Sequence, residues 1–203
     1  MSPSLERQMH HGNALTFQSK TINGNGTASE NSQAKLATDA DDLKDRLYVE
    51  RSEKAFGSRA ISLVDLPAGS LFLKITKATP SSKAYTSVQT GPNSHIELNS
   101  DIVFINHSCR PSVNFDMEKM EVRVSDDRDL RKGDPLTFFY PSTEWDMAQP
   151  FECNCGESVC KGLIDGAGKM NEGLVREYWL NGHTERMLDE RRGDEEGSVK
   201  GGK

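Results

Sequence analysis

The sequence predicts a mainly β core closed by a C-terminal helix. Two patterns carry that reading: apolar residues fall in short clusters separated by turn-forming residues, and only one late stretch repeats at helical spacing. Strands are expected at Leu47–Glu50, Arg59–Leu63, Leu71–Ile75, Glu121–Val124 and Leu136–Tyr140. Between and around them, Pro67-Ala68-Gly69, Gly91-Pro92-Asn93, Ser125-Asp126-Asp127 and Lys132-Gly133-Asp134 supply turn chemistry. The helix is expected over Glu172–Leu188, where Leu174 and Tyr178, and Val175 and Trp179, stand four residues apart.

Composition places this core inside less structured ends. Hydrophobic residues make up 34% of the 203 residues and charged residues 28%, with a mean hydropathy of -0.66, which is too polar for a chain packed throughout. Residues 1–42 are rich in Ser, Asn, Gly, Thr, Ala and Gln with Phe17 as their one aromatic residue, and are expected to be a disordered arm with a solvated His10-His11 pair. Residues 189–203 are charged and finish in glycines, as a disordered tail does. No apolar run approaches the roughly 18 residues of a membrane span, and no signal peptide is evident, so the expected compartment is nuclear or cytoplasmic. A formal charge of -6 argues against a protein that grips nucleic acid through phosphates, which needs a basic surface. Neither direct nucleic-acid binding nor a membrane partner is expected.

The cysteines are the most informative residues. Cys153, Cys155 and Cys160 form a C-x-C-x4-C cluster, and Cys109 lies 44 positions upstream. Without a secretion signal these thiols stay reduced, so a disulfide framework is not expected. Four thiolates suit one tetrahedral structural zinc ion that staples the late segment to the core. Four unrelated buried or free thiols are the competing reading.

Phe104-Ile105-Asn106-His107-Ser108-Cys109, then Gly133-Asp134-Pro135-Leu136-Thr137-Phe138-Phe139-Tyr140, then Cys153 to Cys160 resemble, in order, the F-I-N-H-S-C, G-E-E-L-T-F-D-Y and post-SET cysteine motifs of SET-domain protein-lysine methyltransferases. Upstream, Lys54-Ala55-Phe56-Gly57-Ser58-Arg59-Ala60 and Asp65-Leu66-Pro67-Ala68-Gly69 resemble the family's G-x-G loop and the turn after it. The resemblance covers about residues 46–165, without a pre-SET region. It implies a β-clip, pseudoknot-like SET domain over 43–148 and a post-SET zinc segment over 149–165, while the helical spacing places a C-terminal helical segment over 166–188. It also implies an S-adenosylmethionine-dependent protein-lysine N-methyltransferase whose substrate is a lysine-bearing protein or peptide, with a histone as one candidate. Tyr140 is then the catalytic tyrosine facing the amine. Lys54, Ala55, Phe56, Asn106 and His107 would contact the cofactor, with Tyr85 a further candidate on the following strand. Phe138, Phe139 and Trp145 would wall the substrate channel, and Cys109, Cys153, Cys155 and Cys160 would bind one zinc.

Departures from the pattern keep a second reading open. Ala55 replaces the first glycine of G-x-G, Val103 an arginine, Phe139 an aspartate and Ile75 a channel tyrosine, while the insert between Ile75 and Val103 is short enough to leave one wall of the peptide groove nearly absent. The alternative is a catalytically degenerate SET/post-SET module acting as a zinc-stabilised protein-binding or scaffold protein. Asp134, Glu144 and Asp146 read as solvated acids, or at most as an acidic rim for a basic peptide.

Overall fold

The structure, a computed structural model, describes residues 43–200, with side chains through Asp194. The expected arm over 1–42 lies outside the described residues. A short helix α1 (Leu43–Arg46) leads into β1 (Leu47–Glu50), which pairs antiparallel with β2 (Arg59–Ser62). Next come β3 (Leu71–Lys74), β4 (Thr79–Ser81), β5 (Ser87–Gly91), β6 (Ser94–Glu97), a 3-10 turn at Asp101–Phe104 and β7 (Asn106–His107). The hairpin β8 (Val113–Asp116) and β9 (Glu121–Val124) follows, then β10 (Thr137–Phe138) and a 3-10 turn at Tyr140–Ser142. The chain ends its described part with β11 (Phe151–Glu152), β12 (Leu163–Ile164), α2 (Glu172–Val175) and α3 (Gly182–Lys200).

The mainly β expectation is borne out, and the reason is local. In β9 burial alternates, with Val122 and Val124 inward and Glu121 and Arg123 less buried, which is the period-two pattern of a half-buried strand. This strand is the centre of the sheet β3-β9-β8, where Phe115 faces Val122 and Val113 faces Val124. Phe72, Val113, Phe115, Val122 and Val124 are fully buried there, joined by Ile105 and Leu136 from the flanking segments. Burying each such side chain contributes about 1.5–3 kcal/mol, so this cluster is the main stabilising term.

Three expectations are corrected. Apart from the strand placed at Tyr85, no strand is expected between Ile75 and Val103, yet this segment folds into the antiparallel sheet β4-β6-β5, turning at Gly91-Pro92-Asn93. Its strands are polar because Gln89 and Ser87 are buried by hydrogen bonding rather than by apolar packing. The expected strand Leu136–Tyr140 pairs only at Thr137 and Phe138, since Pro141 follows Tyr140 and the chain turns there. The single helix Glu172–Leu188 is two, because the chain leaves the helix after Val175 to direct Tyr178 and Asn181 into the fold, and α3 then runs on to Lys200, past the expected end at Leu188.

A second apolar cluster lies under this C-terminal part. Ala167, Val175, Leu180 and Leu188 are buried together, with Trp145, Met170 and Tyr178 packed against them. Among the described residues no helix is long and apolar enough to cross a membrane.

Candidate functional site

β7 and β10 are only two residues long, yet they fix the site. They run parallel, with Thr137 beside Asn106 and Phe138 beside His107. Ser108 N donates to Phe138 O at 3.1 Å, and Ser112 N to Thr137 O at 3.0 Å, continuing the seam. Two motifs some thirty residues apart in sequence are thereby laid side by side. Asn106 Nδ2 donates to Ser58 O at 2.9 Å, which ties the end of the 51–58 loop to the same seam.

That loop is held by its own serines: Ser52 N donates to Ser58 Oγ at 3.1 Å, and Lys54 N to Ser52 Oγ at 3.2 Å. Gly57 leaves room for this hydroxyl, since a Cβ there would lie 2.6 Å from Ser52 Oγ and displace it. Phe56 has φ 58, a left-handed conformation that is costly for a bulky residue, and its ring is 78% exposed. Its partner is Tyr85, 72% exposed and edge-on at 6.3 Å. Tyr85 sits in the turn before β5, not on the strand expected for it. Strained backbone and unburied aromatic surface are thus concentrated where the chain itself gains little from them.

Around Tyr140 the rings are packed closely. Phe138 is buried between Phe115 at 4.3 Å and Tyr140 at 4.7 Å. Phe139 is buried on the other side, stacked on Tyr178 at 3.6 Å and packed against His107. Phe151 adds edges to both His107 and Tyr140. Burial pushes the Tyr140 hydroxyl far above its ordinary acidity range, so it stays protonated and can both donate and accept. Trp145 is elsewhere: its ring lies in the second core, beneath Arg191 at 5.7 Å and so close to Gly168 that a Cβ there would sit 2.6 Å from it. It anchors a loop instead of walling a channel with Phe138 and Tyr140.

His107 connects the tyrosine to the cysteines. Tyr140 N donates to His107 Nδ1 at 3.2 Å, which leaves the ring proton on Nε2, 3.4 Å from Cys109 Sγ. Burial holds the imidazole down at about 4, so it is neutral at physiological pH. Both nitrogens are engaged within the fold.

The four cysteines form one cluster, their sulfurs all within 4.8 Å of one another. A tetrahedral zinc with sulfur ligands at about 2.3 Å requires sulfur pairs about 3.8 Å apart, and Cys109 and Cys153 are separated by 3.8 Å. Lys161 N donates to Cys109 Sγ at 3.3 Å, beside the His107 donor, and such donors orient a metal-bound sulfur and offset its charge. Burial pushes the Cys109 thiol up to about 11 and Cys153 further, while at Cys155 burial is opposed by the backbone N–H groups of Cys109 and Glu157 and the thiols of Cys153 and Cys160, which together hold it at about 7. One thiol ionises and its neighbours then resist, a conflict that a bound dication removes. The residues present fit such an ion.

Sequence reasoning missed three participants. Phe151 and Tyr178 pack on the site, with Tyr178 donating to Cys109 O at 2.9 Å, and Asn181 binds the turn after Tyr140. Phe151 carries a signal, standing two residues before Cys153; the other two lie in a stretch that reads as plain helix. Glu144, expected as solvated, is buried with Oε1 accepting from Gln89 N at 2.8 Å.

Two separated motifs threaded side by side and stapled by a distant four-cysteine cluster define a SET-type β protein. A SET domain family model matches residues 18–141, beginning within the segment expected as an arm. Methyltransferase flvH of Aspergillus flavus is 57% identical over 143 residues, covering 70% of this chain and 80% of that protein. The histone-lysine N-methyltransferase, H3 lysine-36 specific, of Chaetomium globosum is 37% identical over 67 residues, 31% of this chain and 7% of that protein. Among solved structures, KRYPTONITE in complex with mCHH DNA, an H3(1-15) peptide and SAH aligns at a TM-score of 0.44 and 22% identity, over 58% of this chain and 29% of that one. The chain belongs to the SET-domain family.

Proposed function

We propose that this protein is an S-adenosylmethionine-dependent protein-lysine N-methyltransferase held together by one structural zinc. The observation that carries the reading is the β7–β10 register, which brings Asn106, the 51–58 loop and Tyr140 to one seam. Its relative from Aspergillus flavus bears the name of a methyltransferase and supports transfer chemistry.

When bound, the cofactor supplies an electrophilic methyl group on a sulfonium. The residues present suit it: exposed Phe56 and Tyr85 offer aromatic faces, while the Lys54–Phe56 backbone and Asn106 offer polar groups for its charged end. The neutral Tyr140 hydroxyl orients the amine and the methyl group, and Phe138 excludes water on one side. The lysine ammonium must give a proton to water before its nitrogen attacks, and a low-polarity aromatic channel lowers its pKa toward that state. Cys109, Cys153, Cys155 and Cys160 hold the zinc, whose role is to fix the segment carrying Phe151 against Tyr140.

The test combines calorimetry with transfer of a labelled methyl group to histones, to a denatured lysate and to free lysine. Micromolar cofactor binding and label on protein lysines are expected, with Tyr140→Phe cutting kcat about 100-fold at unchanged cofactor affinity. Label on free lysine alone overturns the protein substrate. No cofactor binding in zinc-replete protein overturns the enzyme and leaves the degenerate module.

A further inference from the structure

Ser142 closes the short turn that begins at Tyr140, and its carbonyl is crowded with donors. Asn181 N reaches it at 3.1 Å, Asn181 Nδ2 at 3.0 Å and Thr184 Oγ1 at 3.1 Å. The next carbonyl, of Thr143, faces His183 Nε2 at 2.8 Å. A carbonyl oxygen has two lone pairs, so three donors exceed what satisfying it requires. All of them come from residues 181–184, at the head of α3 and beyond the part of the chain that the SET family model matches.

We propose that Asn181 is a positioning residue for Tyr140. Its side chain is 1% exposed and bridges two elements. Oδ1 accepts from Met117 N at 2.8 Å, and Nδ2 donates to Phe115 O at 2.9 Å as well as to Ser142 O. One amide therefore binds the end of β8 to the Tyr140 turn. The rings follow the same route, Phe115 against Phe138 and Phe138 against Tyr140. Backbone and side chain of the tyrosine are thus both referred to the same central sheet.

An asparagine immediately before a helix ordinarily caps it, its oxygen accepting from an amide of the first turn. Here that oxygen goes to Met117 at the end of β8 instead, so the side chain serves the tether between β8 and the turn rather than the helix end. In-line transfer depends steeply on geometry, and a displacement of about 1 Å can cost on the order of 100-fold in rate. The inference rests on the role proposed for Tyr140 above, and the experiment separates the two.

Turnover per folded molecule is measured at saturating substrates for wild type, Asn181→Ala, Tyr140→Phe and the double variant. Asn181→Ala is expected to lower kcat about 30-fold with cofactor affinity changed less than about twofold, yet less than about threefold in the Tyr140→Phe background, where nothing remains to position. The same loss in both backgrounds overturns the proposal, because a merely structural role multiplies through. A second readout needs no activity. Protein containing 3-fluorotyrosine reports four rings, and the Tyr140 resonance is the one absent from Tyr140→Phe. In Asn181→Ala it should shift or broaden while the Tyr48 and Tyr85 resonances stay in place. An unmoved Tyr140 signal refutes the positioning role; a moved signal in a protein that transfers no methyl group supports the tether and refutes the chemistry assigned to the tyrosine. Should Asn181→Ala not fold, Thr184→Val removes one of the three donors at nearly constant volume, with an expected loss of about fivefold in the same cycle.

Discussion

Glu144 puts a carboxyl into the packed region just after the Tyr140 turn, accepting from Gln89 N at 2.8 Å and Thr143 Oγ1 at 3.1 Å. Burial pushes it up to about 7, and the Gln89 and Thr143 donors and Lys83 recover only part of the shift from 4.5. Between those two values the folded chain keeps a proton that the unfolded chain has lost. Stability therefore falls as pH rises through this window, by at most about 3 kcal/mol once both states are ionised. Glu144→Gln removes the charge and keeps an acceptor for Gln89 N–H. Its melting temperature should exceed that of wild type by about 5 °C at pH 8 and match it within about a degree at pH 5. An equal change at both pH values would show that the charge carries no cost. The sequence offers no sign of this burial, because Glu144 stands among Thr143, Trp145 and Asp146 like any loop acid, and Asp146 does pair at the surface with Lys83 and Lys169. Asn106, His107 and Tyr140 were legible only as members of ordered motifs. Asn181 was not legible at all, since it falls inside the stretch Glu172–Leu188 that reads as one plain helix.

Among the elements, α3 combines a strong attachment with a weak one. Leu188 is fully buried in the second core, whereas the neighbouring Asp189 bonds Arg176 and Arg192 with 57% of its side chain exposed. Removing a buried leucine costs the lost transfer energy and leaves a cavity, about 2–5 kcal/mol. Exposed ion pairs are screened and cost side-chain entropy, so their loss costs about 0–1 kcal/mol. Leu188→Ala should accordingly lower the urea midpoint strongly and Asp189→Ala hardly at all; a reversed order would mean that charges dock this helix. The same contrast explains which elements could be read in advance. β1 and β9 were expected with their observed ends because their apolar alternation is local, while β5 and β6, with Ser87, Gln89, Thr90, Ser94 and His95, hide a sheet that is buried only along β5 behind polar residues. The break between α2 and α3 was hidden for another reason. Leu174, Val175, Tyr178 and Trp179 keep helical spacing, but the pull on Tyr178 comes from Phe139 and Cys109, which are distant in sequence.

At the scale of the molecule, the segment 149–165 has little apolar attachment of its own. Ile164 is fully buried and Phe151 packs on His107 and Tyr140, but the main core takes no member from this stretch and Val159 and Leu163 are exposed. A zinc ion held by Cys109 and the three late cysteines would contribute on the order of 10 kcal/mol, far more than one buried isoleucine and one half-buried ring. Order in this segment should then follow the metal, and the effect should spread along two contacts. Tyr178 donates to Cys109 O, carrying it to the C-terminal part, and His107 joins Cys109 to the Tyr140 backbone, carrying it to the site. The sheet β3-β9-β8 is joined to these parts by Asn181 and by Phe115 against Phe138, yet it keeps a core of its own that contains no zinc ligand. Chelation of the purified protein should therefore release one zinc per chain and raise amide exchange over 149–165, around Tyr178 and at Tyr140, while β8 and β9 retain their protection. Uniform protection after chelation would place the folding energy of the late segment in its packing, and collapse of β8 and β9 together with it would make the metal part of a single cooperative core.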